Sequence, residues 1–300
     1  MSGAPAQSDP SSGRAPRHVG PVGYLALWLA PIGVAFVAME RGVAPELAAL
    51  ACTVLAAVVV WALERALPAH PAWSGPGPDV RVDAWHVGVG GAVAAGAREG
   101  VLRAAAATLG GGGTFWPSGW PLLLQIVLAL VVLELGQYAA HRAMHELPWL
   151  WPLHAVHHSP RRLYWLNTFR NHPADTVLSV VMPLLPLVLL GASERVIALA
   201  GLAVGVHAML QHANVLVREG PITWLLSSAT LHRWHHDLDV GHAQANYGGT
   251  LILWDIVFGT RRAPGGEPAR LGLPDDDAIA ERYLAQLAHP FVVLARWWRS

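Results

Sequence analysis

Two short stretches, LHAVHHS at 153–159 and LHRWHHD at 231–237, repeat one arrangement of histidines. The pattern H-x-x-H-H supplies His154, His157 and His158 from the first, and His232, His235 and His236 from the second. A third stretch, HRAMH, adds His141 and His145, four residues apart. Neutral imidazole is a good ligand for iron, zinc and copper. Residues three and four apart share a helix face, so each stretch can present its imidazoles to one side of a turn. Eight imidazoles exceed what a single ion coordinates, and two metal ions are the economical reading.

Three further histidines are intermediate. His212 lies near the end of an apolar run, where it can reach a site at the membrane face. His207 precedes it by five residues, about 140° around an ideal helix, so the two face one metal only if the helix bends. His172, in RNHPAD, is the third. His18, His70, His86, His242 and His289 stand alone and read as hydrogen-bonded structural residues. Tyr138 and Glu134 continue the stripe of His141 at i−3 and i−7. A carboxylate there is placed to hydrogen-bond a ligand imidazole and fix its tautomer; a merely buried acid is the competing reading.

Other histidine chemistries fit less well. HELPW lacks the second histidine of H-E-x-x-H, with Pro148 close to where it would stand, which argues against a zinc metalloprotease. A bis-histidine haem uses opposed histidines on separate spans, and a zinc transporter wants ionisable groups in mid-membrane.

The elements that position these residues are apolar. The chain is 53% hydrophobic and 13% charged over 300 residues, far below the usual charged fraction of about a quarter, which points to a membrane protein. Its 20 basic residues are all arginine and balance 20 acidic ones, so there is no basic face for nucleic acid. One cysteine, Cys52, rules out intrachain disulfides and cysteine-ligated clusters.

Residues 1–23, rich in Pro, Ser and Gly, read as a disordered leader rather than a signal peptide. Membrane spans are expected at 24–39, 44–63 and 121–140, with a weaker one at 85–109 that holds Arg98, Glu99 and Arg103. The loop from Gly110 to Trp120 carries interfacial aromatics, and 177–190 with 196–215 reads as a hairpin dipping into the bilayer. Four crossings from an inside N-terminus place both H-x-x-H-H clusters inside. Arg41 and Arg195 then fall outside, Arg98 and Arg103 within the third span, and the other 16 arginines inside, as positive-inside bias requires. The expected fold is therefore all-α and polytopic: about four transmembrane helices and a cytosolic helical cap carrying the histidines. Its divisions are the leader 1–23, membrane helices 24–120, a catalytic region 121–262, and a tail 263–300 whose RWWRS suits an interfacial helix.

Over about 134–260 the chain resembles the fatty acid hydroxylase/sterol desaturase superfamily. The resemblance rests on the order and spacing of YAAHRAMH, LHAVHHSP, RNHP, QHAN, LHRWHHD, ANYGG and LWDIVFGT. It implies a membrane-anchored dimetal site, with dioxygen and two electrons used to hydroxylate or desaturate lipid carbon. Carried over by position, the box ligands are His141, His145, His154, His157, His158, His232, His235 and His236. His212 matches an additional histidine between boxes, with His207 and His172 as further possible ligands. Asn246, Trp254 and Asp255 fall in the closing motif, and Asn246 and Asp255 join Glu134 and Tyr138 as supporting residues. Members commonly have Asp where this chain has Glu134.

Iron is the expected metal, because splitting dioxygen needs a redox-active ion and zinc is not one. No H-P-G-G stretch of a fused cytochrome b5 is found, so a separate donor, a ferredoxin or a cytochrome with its reductase, is the expected electron source. The expected location is a bacterial inner membrane with the histidines on the cytoplasmic side. Arg142, Arg161, Arg162 and Arg170 read as topology determinants, with anchoring of an anionic headgroup the lesser reading. A lipid desaturase with the same site, and a non-catalytic metal-binding membrane protein, are the alternatives.

Overall fold

The computed structural model describes residues 18–109, 115–218 and 220–299. Most of the expected leader, and the glycine run 110–113, lie outside the described residues. The rest is helical, with only isolated bridges in place of strands among the described residues. Six long helices form the body: α1 (Pro21–Glu40), α2 (Pro45–Ala66), α3 (Pro78–Leu109), α4 (Leu122–Glu146), then, after the short α5 (Trp151–His158), α6 (Pro173–Leu190) and α7 (Glu194–His212). Proline opens α1, α2 and α6 at the first turn, where its missing N–H costs nothing and its fixed φ suits the helix. Gly191, at φ 84°, closes α6 in the left-handed conformation that glycine adopts freely. Ser193 caps α7 by accepting from the Val196 amide.

Five helices, α1, α2, α4, α6 and α7, are long and apolar enough to cross a membrane. Expected spans 24–39, 44–63 and 121–140 fall on α1, α2 and α4. The weaker span at 85–109 falls on α3, which is not apolar enough to count, whereas α6 and α7 of the expected hairpin are. α3, with 32 residues, carries Arg81, Asp83, Arg98, Glu99 and Arg103 and packs along α6. Leucines and valines such as Leu50, Val54 and Val58 of α2 and Leu123 and Val127 of α4 point outward, as surfaces facing lipid do. Of the five apolar helices, α7 is the most enclosed, held by α1, α2 and α4.

One close approach fixes α4 against α6. A Cβ added to Gly136 would sit 2.5 Å from the Met182 carbonyl and from Pro183 Cα, so only glycine lets the two backbones meet there. The remaining helices are short: α8 (Ala229–His235), α9 (Val240–Ala243), α10 (Leu253–Val257) and the longer α11 (Tyr283–Trp297). α8 packs on α7, α10 on α4, and α11 on α5 and α3. They form the expected helical cap over the bundle end where α4 and α7 finish.

The cap is tied to the bundle through buried carboxylates. Glu64 of α2 accepts backbone N–H from Trp165 and Asn214, each at 2.8 Å. Asp83 of α3 takes Arg170 at 2.5 Å, and both are fully buried. Arg170 also reaches Glu281 ahead of α11, and Arg162 forms a bidentate pair with Asp79. Arg142 bonds Glu146, and Arg161 bonds Asp275. All four arginines weighed for an anionic headgroup are thus already matched to carboxylates, which argues against that reading.

Candidate metal centre

The end of α4, α5, the end of α7 and α8 converge beneath the cap. They bring together nine buried histidines in two groups. His141, His145, His154, His158 and His235 form one; His157, His212, His232 and His236 form the other. Within each group, one ring nitrogen per residue lies within 4.8 Å of all the others. These are the eight box histidines together with His212. The groups adjoin, with the His158 and His236 rings stacked across the divide at 4.4 Å between centroids. Each H-x-x-H-H turn is therefore split instead of pointing all three rings to one side. His154 and His158 serve the first group while His157 serves the second; His232 and His236 serve the second while His235 serves the first.

Hydrogen bonds at the outer nitrogens show what the inner ones can do. Nδ1 of His141 bonds the Tyr247 carbonyl at 2.7 Å, and Nδ1 of His235 bonds the Ala245 carbonyl at 2.7 Å. A carbonyl only accepts, so each Nδ1 carries the proton and each Nε2 is a bare lone pair. Those two Nε2 atoms nevertheless lie 2.9 Å apart. His157 and His212 repeat the arrangement: their Nδ1 atoms bond the carbonyls of Arg170 and Ala208, and their Nε2 atoms are 3.3 Å apart. Further Nε2 pairs, His145–His158, His212–His232 and His232–His236, lie at 3.1, 3.0 and 3.0 Å. Every such contact joins members of one group. Lone pairs at this distance repel unless a cation lies between them. Metal–nitrogen bonds of about 2.0–2.1 Å at right angles put ligand nitrogens about 3 Å apart, as found here.

A shared proton is the other way to relieve that repulsion, and the surroundings oppose it. Burial, then the neighbouring imidazoles, hold His157, His158, His232 and His236 well below the ordinary histidine value. Burial lowers His235 to about 3, against the opposing pull of the Ala245 carbonyl. Neutral imidazole is the ligating form. The donor set fits two metal ions, with five candidate ligands for one and four for the other.

The supporting residues act mostly through one loop. Carbonyls of Ala245, Tyr247 and Gly249, alternate residues of one segment, receive Nδ1 of His235, His141 and His207. Asp255 holds that segment by accepting from the Tyr247 and Gly248 amides at 2.9 and 2.7 Å. Glu134 accepts from the Gly249 and Thr250 amides at 2.5 and 2.9 Å. Glu134 is thus bonded to backbone, not to a ligand imidazole, and its influence on His141 is indirect. Asn246, at φ 56°, pins the loop to the Leu231 and Arg262 backbones. Tyr138 bonds Thr260 and accepts from Arg142, likewise without touching an imidazole nitrogen.

Two candidate ligands are placed elsewhere. His172 caps α6, its Nδ1 accepting from Ala174 while Nε2 donates to the Leu287 carbonyl of α11. Both nitrogens are used, so the ring has no lone pair for a metal. His207 is held between the Gly249 carbonyl and the Tyr24 hydroxyl, with the Trp28 ring edge-on. α7 does not bend enough to bring it round to His212. Among the histidines read as structural, His86 bonds Asn171 and Gln286, and His242 bonds Asp237.

Sequence reasoning missed Asp175. Its carboxylate, fully buried, meets Nδ1 of His154 at 2.8 Å and leaves the buried Nε2 of that ring without a protein partner. Among the described residues it is the one carboxylate bonded directly to a histidine of the two groups. The signal was present in RNHPAD, where an acid three residues after His172 sits in the first turn of a proline-started helix.

Residues 126–260 match the family model for fatty acid hydroxylase. The ornithine lipid hydroxylase of Rhizobium tropici is 41% identical over 177 residues, covering 59% of this chain and 53% of that protein. The alkylglycerol monooxygenase of Danio rerio is 30% identical over 183 residues, 61% of this chain and 40% of that protein. A fatty acid hydroxylase of Lecanicillium sp is 27% identical over 157 residues, 47% of this chain and 43% of that protein. The match thus spans about half the length, or less, of these curated relatives. No solved structure matches the chain.

Proposed function

We propose that the chain, which matches the fatty acid hydroxylase family model over residues 126–260, is a member of the fatty acid hydroxylase/sterol desaturase superfamily and a membrane lipid hydroxylase using two iron ions, dioxygen and an external electron donor. The observation that carries this reading is the division of nine buried imidazoles into two groups whose lone pairs converge at ligand spacing. Iron is preferred to zinc because the overall change, RH + O₂ + 2e⁻ + 2H⁺ → ROH + H₂O, needs a metal that cycles its oxidation state. When bound, the two irons supply the activation of dioxygen.

The chain's own part is positional. Asp175 and the carbonyls of Tyr247, Ala245, Arg170 and Ala208 fix their rings in the tautomer that aims Nε2 inward. Buried walls including Met144, Val156 and Leu231 keep bulk water from the centre. Electrons come from a separate donor, a ferredoxin or a cytochrome with its reductase. The cap faces the cytoplasm, on the side where most arginines lie, in a bacterial membrane. Two of the relatives are named for lipids with a polar headgroup, ornithine lipid and alkylglycerol, and hydroxylation is favoured over desaturation because the relatives are named hydroxylases or monooxygenases.

Purified protein loaded with iron tests the reading. Two irons per chain, and a lipid gaining one oxygen atom when reductant and donor are supplied, are expected. Zinc retained at two per chain with no lipid oxidised under any reductant would overturn it. A product lacking two hydrogens would make it a desaturase.

A further inference from the structure

The protein has two sizeable cavities near the histidines, and they differ in what they touch. One, of about 600 Å³, lies inside the bundle between α2, α3, α4, α6 and α7. It reaches Glu134 and Gln137 but no candidate metal ligand. The other, of about 410 Å³, lies between α5, the segments 237–244 and 271–277, and α11. It is lined by His145 and His158 of the five-imidazole group. The Nδ1 of His145 is buried without a hydrogen-bond partner, on a residue 6% exposed. A carbon to be oxidised must come close to the candidate ligands, and of these two cavities the cap cavity is the one that lies against them.

The roof of that cavity is built for a membrane surface. His289, Val293 and Trp297, at four-residue spacing, turn one face of α11 to the cavity. Leu284, Phe291 and Trp298, at seven-residue spacing, form the outward face and are 76%, 67% and 89% exposed. An amphipathic helix with large apolar groups on its outer side lies in the lipid interface, at headgroup depth. The charge lining the cavity is of one sign: Glu146, Asp237 and Asp277 are on its wall, and no arginine is among the described lining residues. Glu146 is matched by Arg142 outside the cavity, and Asp237 receives Nδ1 of His242. Asp275 takes arginine contacts from Arg161 and Arg270, while Asp277 lines the cavity together with His289, with which it interacts.

We propose that this cap cavity is the lipid headgroup site, and that its carboxylates select a headgroup bearing an ammonium group. The inference rests on the lipid hydroxylase reading above and sharpens its substrate class. The ammonium lies against Asp277 and Asp237, the headgroup carbon faces His145 and His158, and the acyl chains leave toward the bilayer past α11. Lipids with anionic headgroups are repelled from the same rim.

Full-length, metal-free protein in neutral detergent tests the binding without turnover. The probes are an ornithine lipid and the same lipid with its side-chain amine acetylated, which differ only in the ammonium. Lipid-dependent rise of the thermal midpoint gives an apparent Kd for each. The free amine is expected to bind about fivefold more tightly, Asp277→Asn to reduce that preference about threefold, and Asp277→Arg to abolish it. Val293→Trp, which fills the cavity from α11, is expected to weaken both lipids while the helix content is retained. Equal affinity for the two probes, or full preference in Asp277→Asn, overturns the ammonium assignment. Lipid binding untouched by Val293→Trp overturns the site. Iron-loaded protein separates this from the parent reading. If both probes gain oxygen equally, the headgroup inference falls and the hydroxylase stands. If neither does while the binding preference persists, the hydroxylase reading falls and the headgroup site stands.

Discussion

Replacing Asp175 with asparagine removes one negative charge from beneath the five-imidazole group and leaves the four-imidazole group untouched. In the native protein Oδ2 meets Nδ1 of His154 at 2.8 Å, and Oδ1 accepts the Ser179 hydroxyl at 3.0 Å. The side chain is fully buried, so no water replaces a lost partner. Asparagine keeps the volume and one acceptor for His154, and its amide can donate to Ser179 if that hydroxyl turns. What is lost is the charge that makes the imidazole a stronger base toward a metal. Loss of such an outer partner costs about 10–100-fold in metal affinity, or about 1.4–2.7 kcal/mol. The assay is transfer of two bound irons, in the reduced state, to a chromogenic chelator. The variant is expected to give up one iron at a chelator concentration about 10–100-fold lower, with the second iron held as in the parent. Ser179→Ala, which frees the other carboxylate oxygen, should shift the same iron by a smaller factor. Equal weakening of both irons, or no shift beyond twofold, would refute the assignment of Asp175 to a single metal through His154.

Three other outcomes follow from the geometry. His157→Ala and His235→Ala remove one ligand from different groups, so each should lower the iron count from two toward one and abolish turnover; normal activity in either would sink the ligand assignment. Gly136→Ala places a methyl into the α4–α6 backbone contact and should destabilise the bundle by about 1–3 kcal/mol, read as a lower thermal midpoint in detergent; an unchanged midpoint would show that the contact yields. Metal-free protein should lose stability in acid. His235 titrates at about 3 when folded but near the ordinary value of about 6.5 when unfolded, so the unfolded chain binds the proton first. That contribution is fully present above pH ~6.5 and falls by about 1.4 kcal/mol per pH unit below it, down to the folded value. A thermal midpoint that stays flat between pH 6.5 and 4.5 would contradict it.

Much of this arrangement was legible in the residues, and the parts that were not have a common cause. Eight of the nine candidate ligands are visible as close-spaced histidines, because a metal needs several donors on one turn or at one helix end; His212 stands apart from them in the sequence. His172 and His207 belong to the same count yet serve other tasks, since a histidine at a helix start caps it as well as it ligates, and α7 places His207 among the bundle helices. Glu134 shows the limit of a helical stripe: position i−7 puts it two turns below His141, beside the 247–250 loop, which arrives from more than 100 residues later and takes its carboxylate. Asp175 went unread for the same reason: RNHPAD shows an acid in the first turn of a helix, but not that α6 begins beneath His154.

The division of each H-x-x-H-H turn, in contrast, is compatible with helix geometry, which favours pairing its first and last histidines. At about 100° per residue, the first and last histidines of the motif lie about 40° apart, whereas the middle one is about 100° from the last. His154 with His158, and His232 with His236, are therefore natural partners, and His157 and His235 must look elsewhere. Two metals of unequal needs can be served by one such turn only if the odd histidine crosses over. Where one turn gives its pair to the first group, the facing turn gives its pair to the second, and each odd ring completes the other's set. The repeat of the motif is then a requirement of reciprocity: a lone H-x-x-H-H turn would leave one metal with a single ligand from that side. Because both turns serve both groups, the two groups are mechanically linked through α5 and α8, and a change that rotates either helix alters both.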